Sequence, residues 1–175
     1  YPYLMMAGVL SILAYLLLIP IERIFGFTSN VTLVDLQNVN NPLLRRLSEK
    51  ANGTFNHSLQ VANLAAEVAN RLDAKAQLVR TGALYHDIGK MENPAFFTEN
   101  QSGKNPHDGL SYEKSAQIII QHVESGMKLA DRYRLPKAVS DFICTHHGCS
   151  RTRYFYTLRK NESPNATIDE QEIRR

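Results

Sequence analysis

Six histidines stand in the 175-residue chain, His57, His86, His107, His122, His146 and His147, and five of them keep unusual company. His57 precedes Val61, Leu64, Ala65 and Val68 by 4, 7, 8 and 11 positions, so on a helix it shares their apolar face. His86 follows Val79 and Ala83 by 7 and 3, and Asp87 follows Ala83 and Leu84 by 4 and 3. His122 follows Ile118 and Ile119 by 4 and 3, His146 follows Val139, Phe142 and Ile143 by 7, 4 and 3, and His147 follows Ile143 by 4. These are positions where a helical bundle carries Leu or Ile. One histidine on an apolar face is more often a hydrogen-bonded core residue than a ligand. Five of them with a carboxylate are different, because burying that many polar rings costs on the order of several kcal/mol unless something satisfies them. A metal cluster in a bundle core does so. Imidazole and carboxylate without thiolate suit iron, manganese or zinc. A single carboxylate among neutral ligands can bridge two ions, and two ions about 4 Å apart form the usual clamp for phosphoester hydrolysis.

The adjacent pair His86-Asp87 is the sharpest local feature. Neighbours on a helix point about 100° apart, so both reach one site only at the helix's inner edge. Gly89 reads as the stop of that helix. Lys90 can hold a phosphate oxygen as a point charge or serve as a solvated cation at the helix end.

The elements that must position these groups read as helices. Apolar periodicity predicts helices over 56–72, 75–88, 111–134 and 136–147, the last opened by Pro136. The first of these places Val61, Leu64, Ala65, Val68 and Leu72 on one inward face. No alternation of strand type and no internal repeat is present, so the fold class is all-α. Residues 28–50 read as a connector with a short helix around 42–50, followed by the turn signal Asn52-Gly53. Met91–Leu110 reads as a long loop rich in Asn, Pro and Gly, of a length that is usually functional. The tail beyond Asn161 is polar.

The amino end differs in kind. Twenty of residues 1–27 are apolar, and within them only Glu22 and Arg23 are charged. Residues 3–19 are apolar except Gly8 and Ser11, close to the roughly 20 residues a membrane-crossing helix needs. Pro20 reads as the end of that helix. A signal peptide's basic start and small-residue cleavage site are missing. Arg23, Arg45, Arg46 and Lys50 follow the segment and no basic residue precedes it, which by the positive-inside bias puts the body in the cytoplasm. Residues 28–150 carry 13 basic and 12 acidic side chains, a balance that argues against a nucleic-acid polymer as partner. Cys144 and Cys149 could be drawn as a zinc knot with His146 and His147, but the spacing matches no standard structural zinc pattern.

At this point the chain resembles the HD-domain metal phosphohydrolases. The ordered set is His57, His86-Asp87, His122 and His146-His147, with HDIGK at 86–90. More narrowly, 41–65 (NPLLRRLSEKANGTFNHSLQVANLA), 83–101 (ALYHDIGKMENPAFFTENQ), 105–111 (NPHDGLS) and 146–148 (HHG) resemble the bacterial seven-transmembrane HD hydrolases, membrane phosphodiesterases of cyclic di-AMP. The resemblance implies an HD helical bundle over residues 51–161, preceded by the last span of a multi-pass protein of the bacterial cytoplasmic membrane (1–27, with 28–50 between) and followed by the tail 162–175. His57, His86 and Asp87 would bind one divalent ion. Asp87 would bridge to a second ion, held also by His122, His146 and His147, with iron or manganese expected. The ions would activate water and stabilise the charge that develops as cyclic di-AMP opens to linear pApA. Asp87 and Lys90 would carry the chemistry. Lys90, His107 and Asp108 would shape or contact the substrate, and Phe96 and Phe97 would stack an adenine or anchor the loop. A further metal-ligating Asp is expected on helices beyond Arg175; Asp169 is not it. Self-association into a homodimer is left open. Alternatives are an HD phosphohydrolase of cyclic di-GMP, a nucleoside triphosphate or an alarmone, or a degenerate receptor module that binds a ligand and signals. The cyclic di-GMP type carries GYP, whereas Cys-Ser-Arg follows His146-His147-Gly148 here.

Overall fold

The structure is a computed structural model that describes residues 1–148, 150 and 152–162, apart from the side chains of Ile19 and Arg23. Among the described residues it is helical throughout, with no strand. The order is α1 (Pro2–Phe25), α2 (Asn30–Leu36), α3 (Pro42–Lys50), α4 (Asn52–Arg71), α5 (Ala76–Tyr85), α6 (Tyr112–Arg132), α7 (Lys137–Thr145) and α8 (Arg153–Glu162). Short 3₁₀ turns at Ile88–Glu92, Pro94–Phe96, Thr98–Asn100 and Pro106–Gly109 fill the stretch expected as a loop.

Caps fix several of these boundaries. Ser29 accepts from the Thr32 amide at the start of α2, Asn41 accepts from the Leu43 amide just before Pro42 opens α3, and Ser111 accepts from the Lys114 amide at α6. Pro20 does not end α1. The helix runs through it to Phe25 and stops at Gly26, whose left-handed conformation closes the last turn. One proline removes a single amide from the ladder, which an apolar helix of 24 residues survives. Length and composition make Pro2–Glu22 apolar and long enough to cross a membrane, and its apolar stretch is not buried in the bundle.

Past Gly26 the chain doubles back. Glu22 ties the bend: its carboxylate accepts from the Ser29 amide at 2.9 Å and from the Thr32 hydroxyl at 2.7 Å. Residues 28–50 are not a mere connector, because Leu33, Leu43, Leu44 and Leu47 are buried in the main core with Tyr85, Ile88, Val139 and Ile143. Burying a leucine is worth about 2 kcal/mol, so this segment is a sizeable part of what holds the bundle together. Polar bonds add to the seam between α2 and α5. The Tyr85 hydroxyl donates to Leu36 O at 2.8 Å, and Gln37 Nε2 donates to Thr81 Oγ1 at 2.9 Å.

The buried face of α4 is turned by about a quarter of the helix circumference from the one its large residues predict, so that of those residues Val61 still packs on the core at its edge. Thr54, Ser58, Ala62, Ala66 and Ala69 face the core. Leu64, Val68 and Leu72 are 69%, 48% and 73% exposed. Small side chains let α5 approach closely, and close approach of two helices outweighs the apolar stripe beside it.

Candidate metal centre

α5 ends at Tyr85, and the chain tightens at once into a 3₁₀ turn from Ile88. His86 and Asp87 lie at this junction rather than within a continuous helix, so two neighbours can address one point. Gly89 does not act as a left-handed stop; its φ is not positive. It is needed for proximity instead, since a Cβ there would collide with the His122 carbonyl oxygen of α6. That contact seats the turn against the middle of α6. His146 and His147 follow the last turn of α7, which packs on α5 and α6.

The result is two groups of donor atoms that share Asp87. Asp87, His122, His146 and His147 offer atoms within 4.8 Å of one another, and so do His57, His86 and Asp87. Asp87 Oδ2 lies 3.0 Å from His86 Nε2, and Oδ1 lies 3.4 Å from His122 Nε2 and 3.5 Å from His146 Nε2. The ring centroids of His57 and His86 are 5.9 Å apart, and those of His146 and His147 are 4.0 Å apart.

Backbone carbonyls decide the tautomers. His86 Nδ1 faces Ala83 O at 2.7 Å, His122 Nδ1 faces Ile119 O, and His146 Nδ1 faces Ile143 O at 3.0 Å. A carbonyl only accepts, so each Nδ1 carries the proton and each Nε2 turns its lone pair inward. His122 Nε2 and His146 Nε2 then meet 3.4 Å apart. Asp87 Oδ1, beside them, is buried without a hydrogen bond. Three electron-rich atoms converging in a buried site are stable only around a cation. The donor set, imidazole and carboxylate with no thiolate, fits a divalent metal.

The electrostatics agree. Burial by itself would raise the Asp87 pKa, but the His146 and His86 imidazoles and the Lys90 ammonium around it override that and hold the carboxyl well below the usual range. Burial pushes the His122 imidazole down, keeping it neutral as a ligand must be. For His86, burial lowers the pKa, but the Asp87 carboxylate beside it raises it by more, so the net shift is upward.

The sequence matches the HD domain family over residues 54–173. The chain belongs to the HD-domain family. It is similar to the cyclic-di-AMP phosphodiesterase PgpH of Listeria monocytogenes, 43% identical over 144 residues, which cover 82% of this chain and 20% of that protein. With the cyclic-di-AMP phosphodiesterase PgpH of Bacillus subtilis it is 39% identical over 173 residues, covering 95% and 24%. The crystal structure of the Listeria monocytogenes PgpH HD domain in complex with cyclic-di-AMP superposes with a TM-score of 0.73 at 41% identity, covering 78% of this chain and 64% of that one. The chain thus spans about a fifth to a quarter of the length of these curated relatives.

Around this HD site the other expected residues fall in different places. Lys90 is no solvated helix-end cation: its side chain is 14% exposed, with Nζ 2.9 Å from Asp87 Oδ2 and 2.7 Å from Glu99 Oε1. Phe97 is 6% exposed, under the Lys90 ammonium and edge-on to the His122 ring, so it packs behind the site and has no open face for an adenine. Phe96 is half-buried against His107, whose Nε2 donates to Phe96 O at 3.0 Å. His107 and Asp108 belong to neither donor group. They line a separate cavity of about 400 Å³ between the Pro106–Gly109 turn, α6 and α8, with Tyr112, Phe155 and Arg159. Cys144 is exposed and joins neither donor group, while Cys149, Asp169 and the tail 163–175 lie outside the described residues. Glu99 and Thr54 escaped the residue-by-residue reading, although Glu99 lies in the quoted stretch FFTENQ. Its acidic type, nine residues after Lys90, was the available signal.

Proposed function

We propose that this chain carries the catalytic domain of a membrane-tethered phosphodiesterase that hydrolyses cyclic di-AMP to linear pApA with two divalent ions, iron or manganese. The observation that carries the reading is the convergence of unprotonated Nε2 atoms on the Asp87 carboxylate, in two groups that share it. A relative 41% identical in sequence and bound to cyclic-di-AMP in its crystal structure supports the choice of substrate.

His57 and His86 would hold one ion as neutral donors, His122, His146 and His147 the other, and Asp87 would serve both. Such ions would supply Lewis acidity and lower the pKa of a water that attacks the phosphodiester. Water oxygen bonds to phosphorus, the bond from phosphorus to the 3′ oxygen breaks, and the proton from water ends on that oxygen. Lys90 offsets negative charge on the phosphate. His107 and Asp108 shape the substrate's surroundings from their loop. Residues 3–19 cross the bacterial cytoplasmic membrane as one span of a multi-pass protein, and the HD domain, from residue 51 onward, lies in the cytoplasm.

The test is turnover by the full-length protein loaded with manganese or iron, with products separated by chromatography. The expected result is pApA from cyclic di-AMP and little from cyclic di-GMP. A metal-loaded protein that leaves cyclic di-AMP intact overturns the reading, and preference for cyclic di-GMP reassigns the substrate.

A further inference from the structure

One carboxylate outside both donor groups is aimed at the site. Glu99 Oε1 lies 2.7 Å from Lys90 Nζ and accepts from Thr54 Oγ1 at 3.1 Å. Among the described residues, Asp87 and Glu99 are the two anions that touch Lys90. We propose that Glu99 is a positioning residue, which holds the Lys90 ammonium at the phosphate position once divalent cations occupy the carboxylate of Asp87. The inference rests on the phosphodiesterase reading above and deepens it.

Two sets of charges compete for the ammonium. Without metal, Asp87 attracts Lys90. Two divalent ions reverse the local sign, because an ammonium a few ångströms away is then repelled more strongly than one carboxylate attracts it. A flexible four-carbon side chain would swing out to water. An anion beyond the reach of the metals is needed to keep it in place, and Glu99 has that position.

Glu99 is itself held. The Thr54 hydroxyl that donates to it accepts from Asn100 Nδ2 at 2.7 Å, and Asn100 Oδ1 accepts from the Thr54 amide at 3.0 Å. The second bond caps α4, which has no side-chain cap of its own from Ala51. At Gly53 a side chain would overlap the Glu99 carbonyl, so the Thr98–Asn100 turn lies directly on the start of α4. The Phe97 ring lies beneath the ammonium, 4.9 Å from Nζ to its centroid. The turn, the helix that presents His57 and the lysine are therefore one connected piece.

The experiment uses the metal-loaded full-length protein with Glu99→Gln, Lys90→Met and the double variant, each checked for helical content and bound metal. Two readouts are taken: kcat/KM for cyclic di-AMP, and the affinity for inorganic phosphate by calorimetry. We expect Glu99→Gln to lower kcat/KM by about 10- to 100-fold, the size typical of losing a group that orients a ligating or reacting one, with two ions still bound. Phosphate affinity falls with it. The double variant is no worse than Lys90→Met alone, and Glu99→Asp recovers part of the loss. Wild-type behaviour of Glu99→Gln in both readouts, or losses that add in the double variant, overturns the proposal. If the wild type cleaves no cyclic dinucleotide yet phosphate affinity shows the same coupled loss, the phosphodiesterase reading fails and the role of Glu99 stands.

Discussion

The two donor groups meet at Asp87 but are built differently. His122 is buried in the middle of α6, and His146 is held beside it by the end of α7, each ring locked by a backbone carbonyl. Their site has four donors. The other group has three, of which His57, on α4, is exposed; His147 is exposed in the first group too, so three donors are held by burial there against two here. Burial and carbonyl locks orient donors before any ion arrives, whereas an exposed ring must be ordered by the ion itself. Preorganisation of this kind sets affinity, so the two halves of one cluster should hold metal unequally.

Removing the shared ligand gives the largest effect. Asp87→Ala should lose both ions and lower turnover by more than about 10³-fold, with the helical circular dichroism spectrum retained. Retained activity would break the bridging role. Next, His57→Ala should leave one ion per chain by elemental analysis, while in the wild type the ions should titrate in two phases, the tighter at the four-donor group. A single phase, or loss of both ions from His57→Ala, would erase the distinction between the halves. Gly89→Ala probes the better-built half through its support. Its methyl group would push the Asp87 turn off α6 and destabilise the fold by about 1–3 kcal/mol in chemical denaturation. The smallest effect belongs to the open side: Leu64→Ser should change stability by less than about 0.5 kcal/mol, whereas Ala66→Leu, on the buried face of the same helix, should cost about 1–3 kcal/mol. A large loss at Leu64 would mean that another part of the protein covers that stripe.

Much of this was legible because the chemistry sits on regular helices. Spacing alone put His57, His86, Asp87, His122, His146 and His147 on faces that could converge, and the helices over 111–134 and 136–147 were found to within two residues. The apolar phase failed on α4, since alanine, serine and threonine carry little hydrophobic signal yet are what close packing requires. The role of Gly89 was misread for a related reason: a backbone-to-backbone contact leaves no periodic trace. Phe97 was invisible as a packing residue because the turns of 91–110 have no repeating pattern to reveal which side faces inward. Lys90 could be read as either a phosphate binder or a solvated cation until its partner Glu99 was placed by tertiary structure.

The bend after α1 has a mechanical side. Glu22 grips both the Ser29 amide and the Thr32 hydroxyl, so the last turn of α1 and the first of α2 form a rigid elbow. From α2 a strut runs on: Leu36 accepts from the Tyr85 hydroxyl, and Tyr85 is the residue before His86. A lever about 36 Å long, the reach of 24 helical residues, is thus geared through one elbow and one strut to the edge of the metal cluster. A twist of that lever which leaves the elbow intact would reach the α2–α5 seam beside His86.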